Sequence, residues 1–244
     1  MTPRQPVLSL GALKRALSEE RLAAYSTPSD TDVLDSVARY LWNGALATVM
    51  VPALHALEVT FRNNLFAASR RIVSEEGLKY KDVPCWLDAD PSFLYDIEAE
   101  SVEQAKLMLR RGEKPLTPGR LISKLGLGFW VGLCRSPYEQ GRESGPALWP
   151  PMTHLAFPFL PKEHRSRAKI LARLDEHRDL RNRVFHHEPI WDRNLHRAHS
   201  RILDTLSWMN QGVAKAVKEL SNVESVVTRG PTGFRRHADM LISP

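Results

Sequence analysis

Residues 163–189 constrain the chain more than any other stretch, because the order of their apolar and charged side chains suits one local structure. Advancing about 100° per residue, Leu174, Leu180, Val184 and Phe185 fall within about 80° of Ile170 and mark the buried stripe of a helix. Arg181 lies about 20° from the centre of that stripe, and His177 is as close on the other side. A guanidinium there must be paired, or must face a cavity or a subunit interface, because an unpaired buried charge is very costly. Asn182 and His186 stand four residues apart and share the adjacent face. Pro189 stops the helix. The expected helix, about residues 163–188, thus carries Arg181, Asn182, Arg183, His186 and His187 at its C-terminal end.

The remaining periodicity is also helical. Short helices are expected over residues 10–24, then from about 32 to 50 and 52 to 74, with Pro52 in a first turn. A further helix starts at Asp90 or Ser92 and continues to Arg111. Thr117 and Pro118 read as an N-cap and first helical residue of another, running to about Leu133. Between Arg135 and Pro161, six prolines exclude a long helix, so an ordered excursion anchored by Trp149, Phe157 and Phe159 is expected. A last helix spans about 194–220. The reading is all-α: one helical domain over residues 1–222 with additional N-terminal helices and a Pro-rich excursion. Residues 223–244 form a Gly/Pro-punctuated tail expected to be poorly ordered.

Charge narrows the classes of partner. The net charge is +6. Residues 1–160 hold equal numbers of basic and acidic side chains, 18 of each, whereas residues 161–244 hold 16 basic and 10 acidic. Six of the nine histidines lie between His164 and His199. A basic, histidine-rich back half suits a polyanion such as RNA, although a solvated helix face has the same composition. No continuous apolar run reaches the ~18 residues of a membrane span. No secretory signal is read at the N-terminus. Cys85 and Cys134 lack metal-ligand spacing, and reduced thiols in a cytoplasmic protein are the simplest account.

Taken singly, the motif residues have ordinary explanations. Arg181 suits a structural arginine answering a buried carboxylate. His186 suits a helix C-terminal histidine complementing the macrodipole. His187 suits an exposed neighbour. Adjacent histidines point about 100° apart on a helix and no His-x-x-x-His pattern accompanies them, so neither a metal nor a cofactor is expected. On the earlier helix Leu54, Leu57, Phe61 and Leu65 form an apolar stripe that includes Glu58, with His55 and Arg62 at helical spacing. Glu58 is expected to be a buried carboxylate tying Arg62 or Arg181 into place.

Arg181-Asn182-Arg183-Val184-Phe185-His186 matches the Arg-x4-6-His signature of the HEPN superfamily. The short pattern has little specificity, since Arg193 and His199 fit it too. A longer order of segments resembles the Abi (abortive infection) family of that superfamily. Tyr40-Leu41-Trp42-Asn43 with His55-Ala56-Leu57-Glu58-Val59-Thr60-Phe61-Arg62-Asn63 is similar to its N-terminal signature. Ser123-Lys124-Leu125-Gly126-Leu127-Gly128-Phe129-Trp130 is similar to its central segment, and residues 182–190 complete it. The resemblance covers roughly residues 17–210. It implies a HEPN-like helical bundle that dimerises, with Arg181 and His186 of both protomers facing one cleft. It also implies metal-independent endoribonuclease activity, released on phage infection or held by an antitoxin. One departure is Phe185, where many relatives carry a small residue; a bulky ring beside His186 would narrow the cleft.

The chemistry fits these residue types. A ribose 2′-OH can attack its own phosphate, a histidine can move the proton, and Arg181 can pair with the phosphate oxygens as charge builds. Asn182 can orient His186 or bond the phosphate, and His187 is an in-chain second acid or base. Two other readings remain: a non-catalytic RNA- or nucleotide-binding module, and a dimeric interaction protein whose polar groups set register.

Overall fold

A computed structural model describes residues 10–76, 85–89, 93–141 and 145–242 of the 244-residue chain. Among them the regular structure is helical and no strand forms, so the molecule is all-α. The chain divides into two compact units assembled from interleaved segments. The first holds residues up to 53 with Leu180–Ser200 and Leu220–Pro244; the second holds Leu54–Asp179 and Arg201–Glu219.

The longest element is the helix Val33–Glu76. Two helices had been expected here, the second beginning at Pro52, but Pro52 lies inside one. Proline removes the bond that its own N–H would give to the carbonyl of Thr48. Thr48 and Pro52 are both exposed, so water can satisfy that carbonyl. On the opposite side Leu46, Met50, Leu54 and Leu57 are at most 1% exposed, which holds the helix together across the proline. Part of this helix is long and apolar enough to cross a membrane by composition alone. Its apolar residues Leu46, Met50, Leu54, Leu57, Phe61 and Leu65 are covered by the chain's own side chains.

In the first unit the N-terminal stretch divides into Leu10–Leu17 and Glu19–Ala23, where one helix had been expected. Ser18 makes the break: it takes φ 66° and its hydroxyl accepts from the Arg21 N–H. Leu22, Val37, Ala38 and Ala238 form a buried cluster, joined by Leu13, Leu17, Leu34, Leu41 and Phe234. Ala238 belongs to Arg235–Ile242, and Val223–Arg229 precedes it, so the region expected to be a poorly ordered tail is helical through residue 242. Its attachments are specific. Trp42 Nε1 donates to the Val226 carbonyl at 2.9 Å, and Arg235 pairs with Asp32 and Asp35.

The second unit contains the Pro-rich excursion. Trp149 is buried and donates its Nε1–H to the Leu133 carbonyl at 2.9 Å; Phe157 is buried against Phe61, with ring centroids 6.3 Å apart. The third expected anchor, Phe159, is instead 51% exposed. Tyr138 takes its place: its carbonyl accepts from the N–H groups of Leu148 and Trp149, and its hydroxyl donates to Glu98 Oε2 at 3.0 Å. The helix expected over 117–133 is two, Pro118–Lys124 and Leu127–Gly132, with Thr117 capping the first as anticipated. The helix expected over 194–220 is also two, Leu195–Met209 and Gln211–Glu219. Asn210 divides them and accepts from the Val213 N–H at 3.0 Å. Asp96–Arg111 begins later than expected, and Asp90 and Ser92 lie outside the described residues.

Candidate functional site

The helix Arg167–Phe185 carries the motif at its C-terminus. Ile170, Leu174, Leu180 and Val184 are 1–4% exposed, so the apolar stripe read from their spacing is the buried face. His177 lies in that face at 3% exposure. Its Nε2 lies 2.9 Å from the Thr205 hydroxyl, which itself donates to the Arg201 carbonyl at 2.8 Å. With the hydroxyl proton committed to that carbonyl, the His177 Nε2–H is the donor to the Thr205 oxygen. Burial, then the cations Arg173 and Arg201, bring its pKa down to about 3. His177 is therefore a structural histidine of the second unit.

From Leu180 onward the helix belongs to the first unit. The helix ends in a tight reversal. Glu188 N–H bonds the Arg183 carbonyl at 2.8 Å, His187 N–H bonds the Val184 carbonyl at 3.3 Å, and His187 takes φ 58°. This pair of bonds around a left-handed residue is the Schellman arrangement, usually built on glycine. Two long-range contacts fix it. Arg21 Nη2 donates to the His187 carbonyl. Beyond Pro189, the buried Asn43 accepts from the N–H groups of Ile190 and Trp191 through one Oδ1, at 2.7 and 3.1 Å.

On this mount Asn182, His186 and His187 are exposed, while Arg181 and Arg183 are partly buried. Arg181 Nη1 lies 3.5 Å from Asn182 Oδ1, and its guanidinium sits 4.8 Å from the centroid of the Phe185 ring. Arg183 pairs with Glu188 across the turn at 3.6 Å. Phe185 itself is 45% exposed, against its expected place in the buried stripe. The physical reason is position: in the last turn no later residue covers it, and its ring instead serves as a platform for Arg181.

Glu58 and Arg62 belong to the second unit. Glu58 is partly exposed, which corrects the expectation of a buried carboxylate. The second copy of the short signature has different geometry. Arg193 precedes the helix Leu195–Met209, and His199 lies within it, bonded to Ser221 at 3.0 Å, with its pKa lowered by burial and by His196. Among the described residues no three His, Cys, Asp or Glu side chains gather as a metal site. Cys85 and Cys134 are both buried and form no disulfide.

Arg21 and the role of Asn43 were not readable from spacing. Asn43 is 147 positions from the N–H it accepts, and nothing local marks an asparagine as a cap for a distant turn. The chain matches no family model, no curated protein and no solved structure.

Proposed function

We propose that the chain is a metal-independent endoribonuclease of HEPN type, with Arg181 and His186 as its catalytic pair. The observation that supports this best is the mount: a partly buried guanidinium, an exposed amide and an exposed imidazole stand at a helix end that Arg21 and Asn43 hold fixed. A reactive group must be held within a fraction of an ångström to be useful, and a pinned helix end does this better than a loop.

In the proposed reaction the ribose 2′-oxygen forms a bond to the adjacent phosphorus and the bond to the 5′-oxygen of the next nucleotide breaks. One imidazole removes the 2′ proton and an acid returns a proton to the 5′-oxygen. Arg181 pairs with the non-bridging oxygens as negative charge grows on them. Its contact with the Phe185 ring orients the guanidinium. Asn182, beside Arg181, positions it or bonds the phosphate. One histidine cannot readily serve as base and acid in a single step. A homodimer that brings a second His186 to the same phosphate supplies the missing role, with His187 as the alternative. Abortive infection, with an antitoxin or a phage-derived trigger holding or releasing the activity, is the setting that the resemblance implies.

The test is the chemistry of the product. In chelator, the protein should leave RNA fragments ending in 2′,3′-cyclic phosphate and beginning with 5′-OH, and a single 2′-deoxy nucleotide at the cut should block cleavage there. Salt-dependent RNA binding with no cleavage would point to a binding module instead.

A further inference from the structure

Trp191 lies five positions beyond His186 and opens onto a cavity of about 360 Å³ within the first unit. That volume is at the lower end of small-molecule sites, about 300–1,000 Å³. The walls include Thr27, Asp30, Asp35, Arg39, Trp191 and Arg235. We propose that this cavity binds a nucleobase, and that it receives one unpaired base of the RNA whose backbone crosses the Arg181/His186 site. The proposal rests on the ribonuclease reading for its substrate and extends it to base preference.

Charge on the walls argues against a phosphate as the occupant. Arg39 pairs with Asp30, and Arg235 pairs with Asp35 and Asp32, so each lining cation already has its anion. What the cavity offers is flat surface and hydrogen-bonding groups. The Arg39 guanidinium lies 5.5 Å from the centroid of the Trp191 ring. Its in-plane donors are held by the Tyr25 carbonyl, the Thr27 hydroxyl and Asp30. Trp191 is held by its Nε1–H on the Ala24 carbonyl at 3.2 Å and by its backbone N–H on Asn43. The Trp191 indole, backed by the buried Arg39 guanidinium, is fixed before any ligand arrives, and an indole is a plane on which unpaired bases stack. Ser29 and Thr232, exposed residues of the lining, add hydroxyls to which an amino or carbonyl edge can bond.

Continuity with the motif gives the pocket its place in the reaction. Asn43 bonds residue 191 and residue 190 together, and Arg21 bonds residue 187, so the Trp191 wall and the motif turn are parts of one braced segment. A base seated there belongs to a nucleotide close to the one being cut.

The test titrates the full chain with each of the four ribonucleosides, with ribose and inorganic phosphate as controls, by ligand-observed magnetic resonance. At least one nucleoside should bind saturably at both low and high salt, while ribose and phosphate do not. Trp191→Leu should weaken that binding about tenfold or more, and Trp191→Phe, which keeps a stacking face, should retain most of it. Should Trp191→Leu not fold, Thr232→Trp, at an exposed position of the lining, should obstruct the cavity and abolish binding. No saturable nucleoside binding, equal binding of ribose, or binding that these variants leave unchanged would overturn the proposal. Cleavage of pooled RNA is scored separately. A protein that cleaves RNA but ignores nucleosides loses only this subsite, and one that binds nucleosides but leaves RNA intact loses only the ribonuclease reading.

Discussion

His177 and His186 lie on the same run of chain and have opposite surroundings. His177 is buried on Thr205, and its pKa of about 3 lies below the ordinary histidine value of 6.5. The unfolded chain therefore takes up a proton near pH 6.5 that the folded chain refuses until about pH 3. Stability from this group is complete above pH 6.5 and is lost as pH falls through the window below it. Each pH unit in that window is worth up to about 1.4 kcal/mol. His177→Gln, which keeps a donor for Thr205, should flatten the fall in melting temperature across pH 6 to 4 (about the middle of the window); an unchanged slope would mean that another group causes it. Asn43 supplies a second residue-level expectation. Asn43→Ala strands two backbone N–H groups and should destabilise by about 2–4 kcal/mol in denaturant titrations, with Asn43→Asp losing less because it keeps the acceptor oxygen. The apolar stripe was legible in the spacing of Ile170, Leu174, Leu180 and Val184. The exposure of Phe185 was not, because angular counting treats a helix as if it had no end.

At the scale of elements, the motif helix is defined by how it stops. His187 holds a left-handed conformation that costs most side chains about 1–2 kcal/mol. His187→Gly should therefore raise stability by up to about 1 kcal/mol, and it also removes one of the motif's two exposed imidazoles. Retained RNA cleavage in that variant would leave the acid and base roles to His186 alone, whereas lost cleavage with a stable fold would give His187 a share. A second element-level prediction concerns Gly132, where an added Cβ would run into the Glu98 carboxylate. Gly132→Ala should cost about 1–3 kcal/mol, read as a lower unfolding midpoint. Helix starts were legible where a cap is local, as at Thr117 and Asn194, whose side chains accept from N–H groups three residues on. Breaks at Ser18 and Asn210 escaped notice because each sits inside a stretch of continuous helical periodicity. Pro52 misled in the other direction: flanking burial outweighs one missing backbone bond.

At the scale of the molecule, all-helical structure follows from the periodicity, but the partition into two units does not. The segments of the first unit come from the beginning, the later middle and the end of the chain. Such pairings depend on long-range contacts for which local sequence carries no signal. They give the last twenty-odd residues a structural role, since Ala238 completes the cluster with Leu22, Val37 and Ala38. Ending the chain at residue 222 should expose that cluster and lower the melting temperature or solubility markedly. A truncated protein as stable as the full chain would refute this packing. The basic excess of residues 161–244 and the exposed Asn182, His186 and His187 suit a polyanion partner, and the central claim is that Arg181 and His186 cut it. The most direct measurement incubates the full chain and its Arg181→Ala and His186→Ala variants, each with unchanged circular dichroism and melting, with mixed RNA in chelator. The account predicts cleavage by the parent chain and a loss of at least about a hundredfold in each variant. Intact RNA with the parent chain, or equal cleavage by either variant, would contradict it.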